Sequence, residues 1–242
     1  MRSFSNKYIF VFSLVMVTIV AVMLSFVSMQ LKPRQQMNLK IEKKQDVLRS
    51  VGKAELVDEA SDKNIYIEEE FATFITDSYV VDFEGNQLET DAFEVMLTLN
   101  AEIRKSQEER NYPVFIYVNG EGEKKYVVPV RGKGLWGPIC GYIALNDDLN
   151  TIFGAVFDHD KETPGLGAEI NTGWFQEPFT GKTIFDSDGE FASIEVVKGG
   201  ADPSNPHAVD AISGGTITSK ALEEMVMDCL TGYVNHFQQL TN

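Results

Sequence analysis

From Tyr8 to Met29 the chain carries no charged side chain. A helix over this stretch would rise about 33 Å, enough for a hydrocarbon core of about 30 Å. A cleaved signal peptide would have a shorter apolar region and a small-residue cleavage site. This run ends in Ser28-Met29-Gln30, so the pattern predicts a retained transmembrane helix over 8–29. Arg2 and Lys7 precede it, and Lys32 and Arg34 follow it, so flanking charge does not orient it. Beyond the span the pattern turns amphipathic. Met37, Ile41, Lys44, Leu48 and Val51 fall on one side of a predicted helix over 35–51, ended by Gly52. A second helix is predicted over 65–75, a strand over 79–83, and a turn at Glu84-Gly85-Asn86. Asp91 starts a third helix with Glu94 as its capping-box partner. That helix is expected to run through Met96, Leu99 and Ile103 to about Arg110, with the charged cluster 104–110 as its solvated face.

After Pro113 the period shortens. Residues 114–118 and 125–130, joined through Asn119-Gly120, read as a β-hairpin. Further strands are predicted over 139–145, 151–158 and 194–197. Short strands so close together predict an α+β fold: a twisted antiparallel sheet forming a partial barrel, with helices on one side. The chain ends in an amphipathic run with apolar residues at Leu222, Val226, Cys229, Leu230, Tyr233 and Phe237, which is helical spacing. Thr218 or Ser219 would cap that helix through a hydroxyl. The expected organisation is an N-terminal tail over 1–7, the span over 8–29, a helical connecting region over 30–110 and a core domain over 111–242.

Charge and cysteine narrow the function classes. A formal net charge of -15 argues against nucleic acid as a partner. The two cysteines, Cys140 and Cys229, are far apart. They would pair only in an oxidising compartment, and the position of Cys229 on the apolar face of the last helix favours a buried free thiol. No metal-ligand spacing is present, and no metal is expected.

Motifs for hydrolysis or nucleotide binding are missing. There is no G-x-S-x-G elbow, no G-x-G-x-x-G after a strand and no G-x-x-x-x-G-K-[ST]. The three histidines, His159, His207 and His236, are scattered; His236 is expected on the surface of the last helix, and His159 ends a strand. No catalytic residue is assigned. Three other segments carry candidate chemistry. Gly132–Ile139 is a glycine-rich loop bearing Leu135 and Trp136. Residues Glu162-Thr163-Pro164-Gly165-Leu166-Gly167 form a tight turn with Leu166 between two glycines. Glycines let a backbone approach a flat ligand, and Leu and Trp supply apolar faces; turn geometry alone would explain the same residues. The third segment is Gly181-Lys182, which follows a Trp174-Phe175 pair. Apart from these, Asp210–Ser219 is a hydroxyl- and glycine-rich loop feeding a helix N-terminus. Such a terminus offers free N–H groups and a positive dipole end to an anion, although an ordinary capped turn has the same composition.

Together, Gly134–Ile139, His159–Gly167 and Asp210-Ala-Ile-Ser-Gly-Gly-Thr216 give the chain a family likeness. It resembles the C-subunit family of the Na⁺-translocating NADH:quinone reductases. More broadly, it resembles the FMN-binding domain family shared with the G subunit of the related Rnf complex. The resemblance covers nearly the whole chain. It implies covalent FMN, esterified through its phosphate to Thr216 by a flavin transferase that consumes FAD. Asp210, six residues before Thr216, then serves transferase recognition or local loop structure. Gly215 stands where the family usually has Ala; the smaller residue keeps the space open.

The resemblance further implies a ring lying against Leu135, Trp136, Thr163 and Leu166, with Glu162 and Gly167 in the same turn. Ser213, Thr218 and Ser219 would donate to the phosphate beside Gly214 and Gly215. Lys182 would meet a ring carbonyl or the phosphate, or else be a surface lysine. The implied role is an electron-carrier subunit without a substrate site of its own. It would act within a complex that couples NADH oxidation and ubiquinone reduction to Na⁺ export. Its partners would be the other membrane subunits and the flavin transferase. It would sit in the bacterial inner membrane with its soluble domain on the periplasmic side. The alternatives are the Rnf-type subunit, with ferredoxin and NAD⁺ as the couple, and a flavin-free anchored binding module.

Overall fold

The computed structural model describes residues 5–53, 57 and 59–241; Arg2, used above as a flanking charge, lies outside them. The chain divides into two compact units, 1–42 and 43–242.

Helix α1 (Asn6–Ser50) runs from the first unit into the second. The predicted span and the helix over 35–51 are therefore one element. It continues through Pro33, which lacks the N–H for a bond to the carbonyl four residues back and crowds that carbonyl with its ring. Helix α1 is long and apolar enough to cross a membrane, and over 8–29 all of its side chains are exposed.

The second unit begins with the last turns of α1, where Val47, Leu48 and Val51 are buried. Gly52, at φ +70°, ends the helix. Its N–H donates to Arg49 O and that of Lys53 to Leu48 O, a left-handed terminus suited to glycine. Then follow α2 (Lys63–Phe74), β1 (Ile75–Val81), β2 (Gln87–Leu88), α3 (Ala92–Leu97), α4 (Leu99–Glu102), β3 (Tyr112–Val118), β4 (Lys124–Lys133), β5 (Pro138–Asn146) and β6 (Ile152–His159). The remaining elements are α5 (Gly173–Gln176), β7 (Glu195–Val197), β8 (Ala208–Asp210), α6 (Thr216–Thr231) and α7 (Val234–Thr241).

Six strands form one antiparallel sheet in the order β2-β1-β3-β4-β5-β6. Because β1 pairs with β3, this sheet crosses the boundary expected at 110/111. Helices cover both of its faces rather than one. Val114 and Ile116 of β3 join a cluster with Leu222, Val226 and Leu230 of α6. Their neighbours Phe115 and Tyr117 join a second cluster with Val47, Val51, Val95 and Met96. A strand buried on both faces explains the unbroken apolar run in β3. The predicted strand near 194–197 is not part of this sheet: β7 pairs with β8 in parallel as a separate two-stranded piece.

Two predicted helices are interrupted. The one begun by Asp91, whose carboxylate accepts from Glu94 N, breaks at Thr98. The Thr98 hydroxyl donates back to the Glu94 and Val95 carbonyls. The helix resumes only to Glu102, so residues 104–110 are not one solvated helical face. Arg110 pairs with Asp228 of α6 at 2.5 Å, and buried Glu102 accepts from Lys105 and from Asn111 N. The final amphipathic run breaks at Gly232-Tyr233 into α6 and α7.

His236 is buried, not on the surface: it is 7% exposed, with Nε2 2.8 Å from the Tyr79 hydroxyl. Burial lowers its pKa from the usual 6.5, opposed by a hydrogen bond to the Gly85 backbone. The folded chain therefore prefers neutral His236, and as pH falls through 6.5 the unfolded chain takes up a proton that the folded one resists. The urea midpoint is expected to drop between about pH 7.5 and about pH 5.5, and His236→Gln to flatten part of that drop. Identical pH profiles for the two chains would contradict this.

Cys140 and Cys229 are both free. Cys140 alternates with Ile139 on β5 and so shares the face of Tyr142 and Ala144, which belong to the α3 cluster. Cys229 sits in the α6 cluster, its thiol donating to Arg131 O. With the sheet between them they cannot pair.

Candidate functional site

Three segments far apart in sequence converge at the N-terminus of α6. The first is the turn between β4 and β5, closed by Gly134 N–H donating to Gly137 O at 2.8 Å. It leaves Leu135 and Trp136 exposed. The second is the turn 162–167, where Leu166 and Ala168 N–H both donate to Thr163 O. Gly165 takes φ +75° there, a conformation costly for any residue with a Cβ.

The third segment is the loop after β8. Gly214 lies at φ +78°, and Gly215 N–H donates to Ile212 O. The helix then starts at Thr216, earlier than the predicted cap. Gly215 is the N-cap, with no side-chain cap bond. Thr218 and Ser219 do other work: Thr218 donates to Glu162 Oε2 at 2.7 Å, and Ser219 Oγ accepts from Ile212 N at 3.0 Å. Thr216, Ile217 and Thr218 are the first residues of α6, so their N–H groups have no intrahelical acceptor. Among the described residues, the half-buried Thr216 side chain has no hydrogen-bond partner.

These segments enclose a cavity of about 130 Å³, lined by Leu135, Trp136, Glu162, Thr163, Leu166, Gly167 and residues 214–218. Glu162 is 5% exposed and forms the floor. Its Oε1 accepts from Trp136 N at 2.8 Å and its Oε2 from Thr218. Close approach requires glycine here. A Cβ on Gly134 or Gly167 would come within 2.6 Å of a Glu162 carboxylate oxygen, and one on Gly214 within 2.7 Å of Leu166 Cδ2.

The structure thus brings together Leu135, Trp136, Glu162, Thr163, Leu166, Gly167, Gly214, Gly215, Thr216 and Thr218. It separates the remaining candidates. Ser213 is exposed at the tip of its turn, outside the lining, and Ser219 is buried behind it. Lys182 lies elsewhere, its ammonium donating to Asn205 O at 2.8 Å, so it does not reach the cavity. Asp210 ends β8, and its carboxylate accepts from Ala201 N at 2.6 Å. Ile217 lines the cavity, 62% exposed, and was missed. Its signal was an apolar residue standing off the buried stripe of the helix, next to the candidate acceptor. Gly215 is also tighter than its small size suggested: a Cβ there would come 2.8 Å from Ile212 Cγ2.

Comparison with known proteins places these residues in context. A family model described as "FMN-binding domain" matches residues 134–231, from the Trp136 turn through α6. The chain is 31% identical over 215 residues to the C subunit of the Na(+)-translocating NADH-quinone reductase of Vibrio vulnificus, covering 84% of this chain and 82% of that protein. It is 40% identical over 103 residues to the C subunit of the Pseudomonas aeruginosa reductase, covering 41% and 39%. Among solved structures, the C subunit of the Parabacteroides distasonis reductase matches with a TM-score of 0.72 at 40% identity, over 86% of this chain and 96% of that one. NqrC of Shewanella oneidensis matches with a TM-score of 0.68 at 27% identity, over 83% and 97%.

Proposed function

The chain belongs to the C-subunit family of the Na(+)-translocating NADH-quinone reductases, and from that premise we propose that it is a membrane-anchored flavoprotein subunit carrying FMN covalently on Thr216. The observation that carries this reading is the position of Thr216. Its side chain, without a partner among the described residues, stands on the first residue of a 16-residue helix. It lines a cavity walled by Leu135, Trp136, Leu166 and Ile217.

The residues present fit an FMN phosphoester. The free N–H groups of Thr216, Ile217 and Thr218 face the end where an anion is stabilised by the helix dipole. Glycines 214 and 215 leave room beside Leu166 and Ile212 that a Cβ would fill. A cavity of about 130 Å³ is smaller than the roughly 300–1,000 Å³ that encloses a drug-sized ligand. Leu135, Trp136, Leu166 and Ile217 would cover part of a flat ring and leave an edge accessible. A covalent tether holds a carrier that such a notch would retain weakly. When bound, FMN supplies one- and two-electron redox chemistry at its ring.

In attachment, the Thr216 oxygen bonds to the FMN phosphorus of FAD, the pyrophosphate P–O bond breaks, AMP leaves and the hydroxyl proton passes to solvent. Asp210 would serve the transferase or, through Ala201 N, the loop that precedes the acceptor. The stretch 8–29 would anchor the chain in the bacterial inner membrane with the second unit outside. The domain relays electrons between other subunits of a complex that oxidises NADH, reduces ubiquinone and moves Na⁺.

Intact mass spectrometry of chain produced with a flavin transferase tests the reading. A mass gain of one FMN that survives acid denaturation is expected. A colourless chain of bare polypeptide mass would overturn it.

A further inference from the structure

A phosphoester on Thr216 fixes only one end of the cofactor. Several freely rotating bonds separate the phosphorus from the ring, so the tether does not decide where the ring lies. That decision falls to the apolar walls, which come from separate segments. Trp136, the largest of them, is 65% exposed, so packing alone gives its loop little hold. The β4–β5 pairing and the Gly134–Gly137 bond close the loop at its base, and what joins it to α6 is Glu162. One carboxylate oxygen accepts from the backbone N–H of Trp136 and the other from the Thr218 hydroxyl in the first turn of α6. The Glu162 backbone N–H is also engaged, by His159 Nδ1 at 3.3 Å. Among the described residues this buried carboxylate forms no ion pair; its hydrogen bonds go to the two walls of the cavity. Glycines at 134 and 167 admit it, since a Cβ at either would overlap a carboxylate oxygen.

We propose that Glu162 is the positioning residue of the site: it ties the Trp136 loop to the attachment helix and so sets where a ring carried on Thr216 can lie. The consequence for the cofactor rests on the FMN reading above; the tie itself does not. Thr218 and Trp136 are then coupled through Glu162, although no hydrogen bond joins them directly.

The first test uses the full chain made without transferase and carrying Trp174→Phe, so that Trp136 is the only one of the two tryptophans left. Time-resolved fluorescence anisotropy reads its local motion. Glu162→Ala is expected to roughly double the amplitude of the sub-nanosecond component, and Thr218→Val to raise it similarly. The double variant should move no further than either single one, because residues acting through one link are non-additive. Glu162→Gln should restore the wild-type decay: its amide oxygen accepts from Trp136 N–H and its amide N–H donates to the Thr218 oxygen. Circular dichroism checks the fold, and Thr218→Val decides alone if the Ala variant fails to fold. An unchanged decay in folded Thr218→Val chain would overturn the proposal.

In flavin-loaded chain, emission quenched by the nearby indole should brighten several-fold in Thr218→Val and stay low in Glu162→Gln. Failure to load flavin at all would sink the function proposed above and leave the anisotropy result standing.

Discussion

Thr216→Ala chain, produced beside the transferase, is expected to gain no covalent flavin, while Thr216→Ser retains it. The reason is positional. Attachment requires a hydroxyl at the first residue of α6, where the N–H groups of residues 216–218 lack intrahelical acceptors. Ser keeps that oxygen and loses one methyl group. Other hydroxyls lie within a few residues but are committed or misplaced. Thr218 donates to Glu162, Ser219 accepts from Ile212 N, and Ser213 is outside the cavity lining. None should take over when Thr216 is removed. The thermal midpoint of the flavin-free chain should hardly change, because the Thr216 side chain bonds to no other described residue. Intact mass and a melting curve check both halves. One FMN mass on the Ala variant would show that a different atom carries the group.

Gly232→Ala should have the largest effect on stability. Gly232 sits between α6 and α7 at an ordinary helical φ of -68°, so conformational freedom is not its reason. Space is. A Cβ there would stand 2.6 Å from the Tyr112 hydroxyl oxygen and closer still to ring atoms Cε1 and Cζ. Tyr112 cannot easily yield. It is 4% exposed, its hydroxyl donates to Gln107 O at 2.7 Å, and its ring packs edge-on to Tyr233 at 5.3 Å. Overpacking costs about 1–3 kcal/mol and the hydroxyl bond about 1 kcal/mol more, a loss of roughly 3 kcal/mol. For a domain of this size that corresponds to a fall of about 10 °C in the thermal midpoint. Adding Tyr112→Leu should recover part of the loss by removing the obstructing ring. A midpoint within about 2 °C of wild type for Gly232→Ala would mean this junction is packed differently.

The same junction separates what local pattern could reveal from what it could not. The apolar stripe from Leu222 to Phe237 marks a helical stretch correctly. What requires glycine at the break is Tyr112, a residue on β3 over a hundred positions away. His236 follows the same logic: its buried place against Tyr79 depends on β1 lying beneath α7. Helices on both sheet faces were hidden for a related reason. The continuous apolar run of β3 signals burial without saying what covers each side.

The candidate site was more legible than the fold around it. Glycine-rich turns with a Leu or Trp carry their chemistry locally, and a hydroxyl loop before an amphipathic run marks a helix N-terminus. These features, with the family resemblance, named ten of the residues now seen around one cavity. Ser213, Ser219 and Lys182 fall outside its lining; the Lys182 ammonium has a carbonyl partner elsewhere. The overlooked one, Ile217, reads as a stray apolar residue until the turns from β4–β5 and 162–167 are brought beside it.

Sequence by itself determined the long uncharged helix, the identity of most strands, the lack of metal-ligand spacing and the motif that ends in Thr216, because each depends on the order of neighbouring residues. Only the tertiary structure decided that Glu162 bridges Trp136 and Thr218, that the cysteines lie on opposite faces of the sheet, and that Lys182 is out of reach. Those are relations between residues tens of positions apart, created when strands pair and helices pack, and no local pattern encodes them.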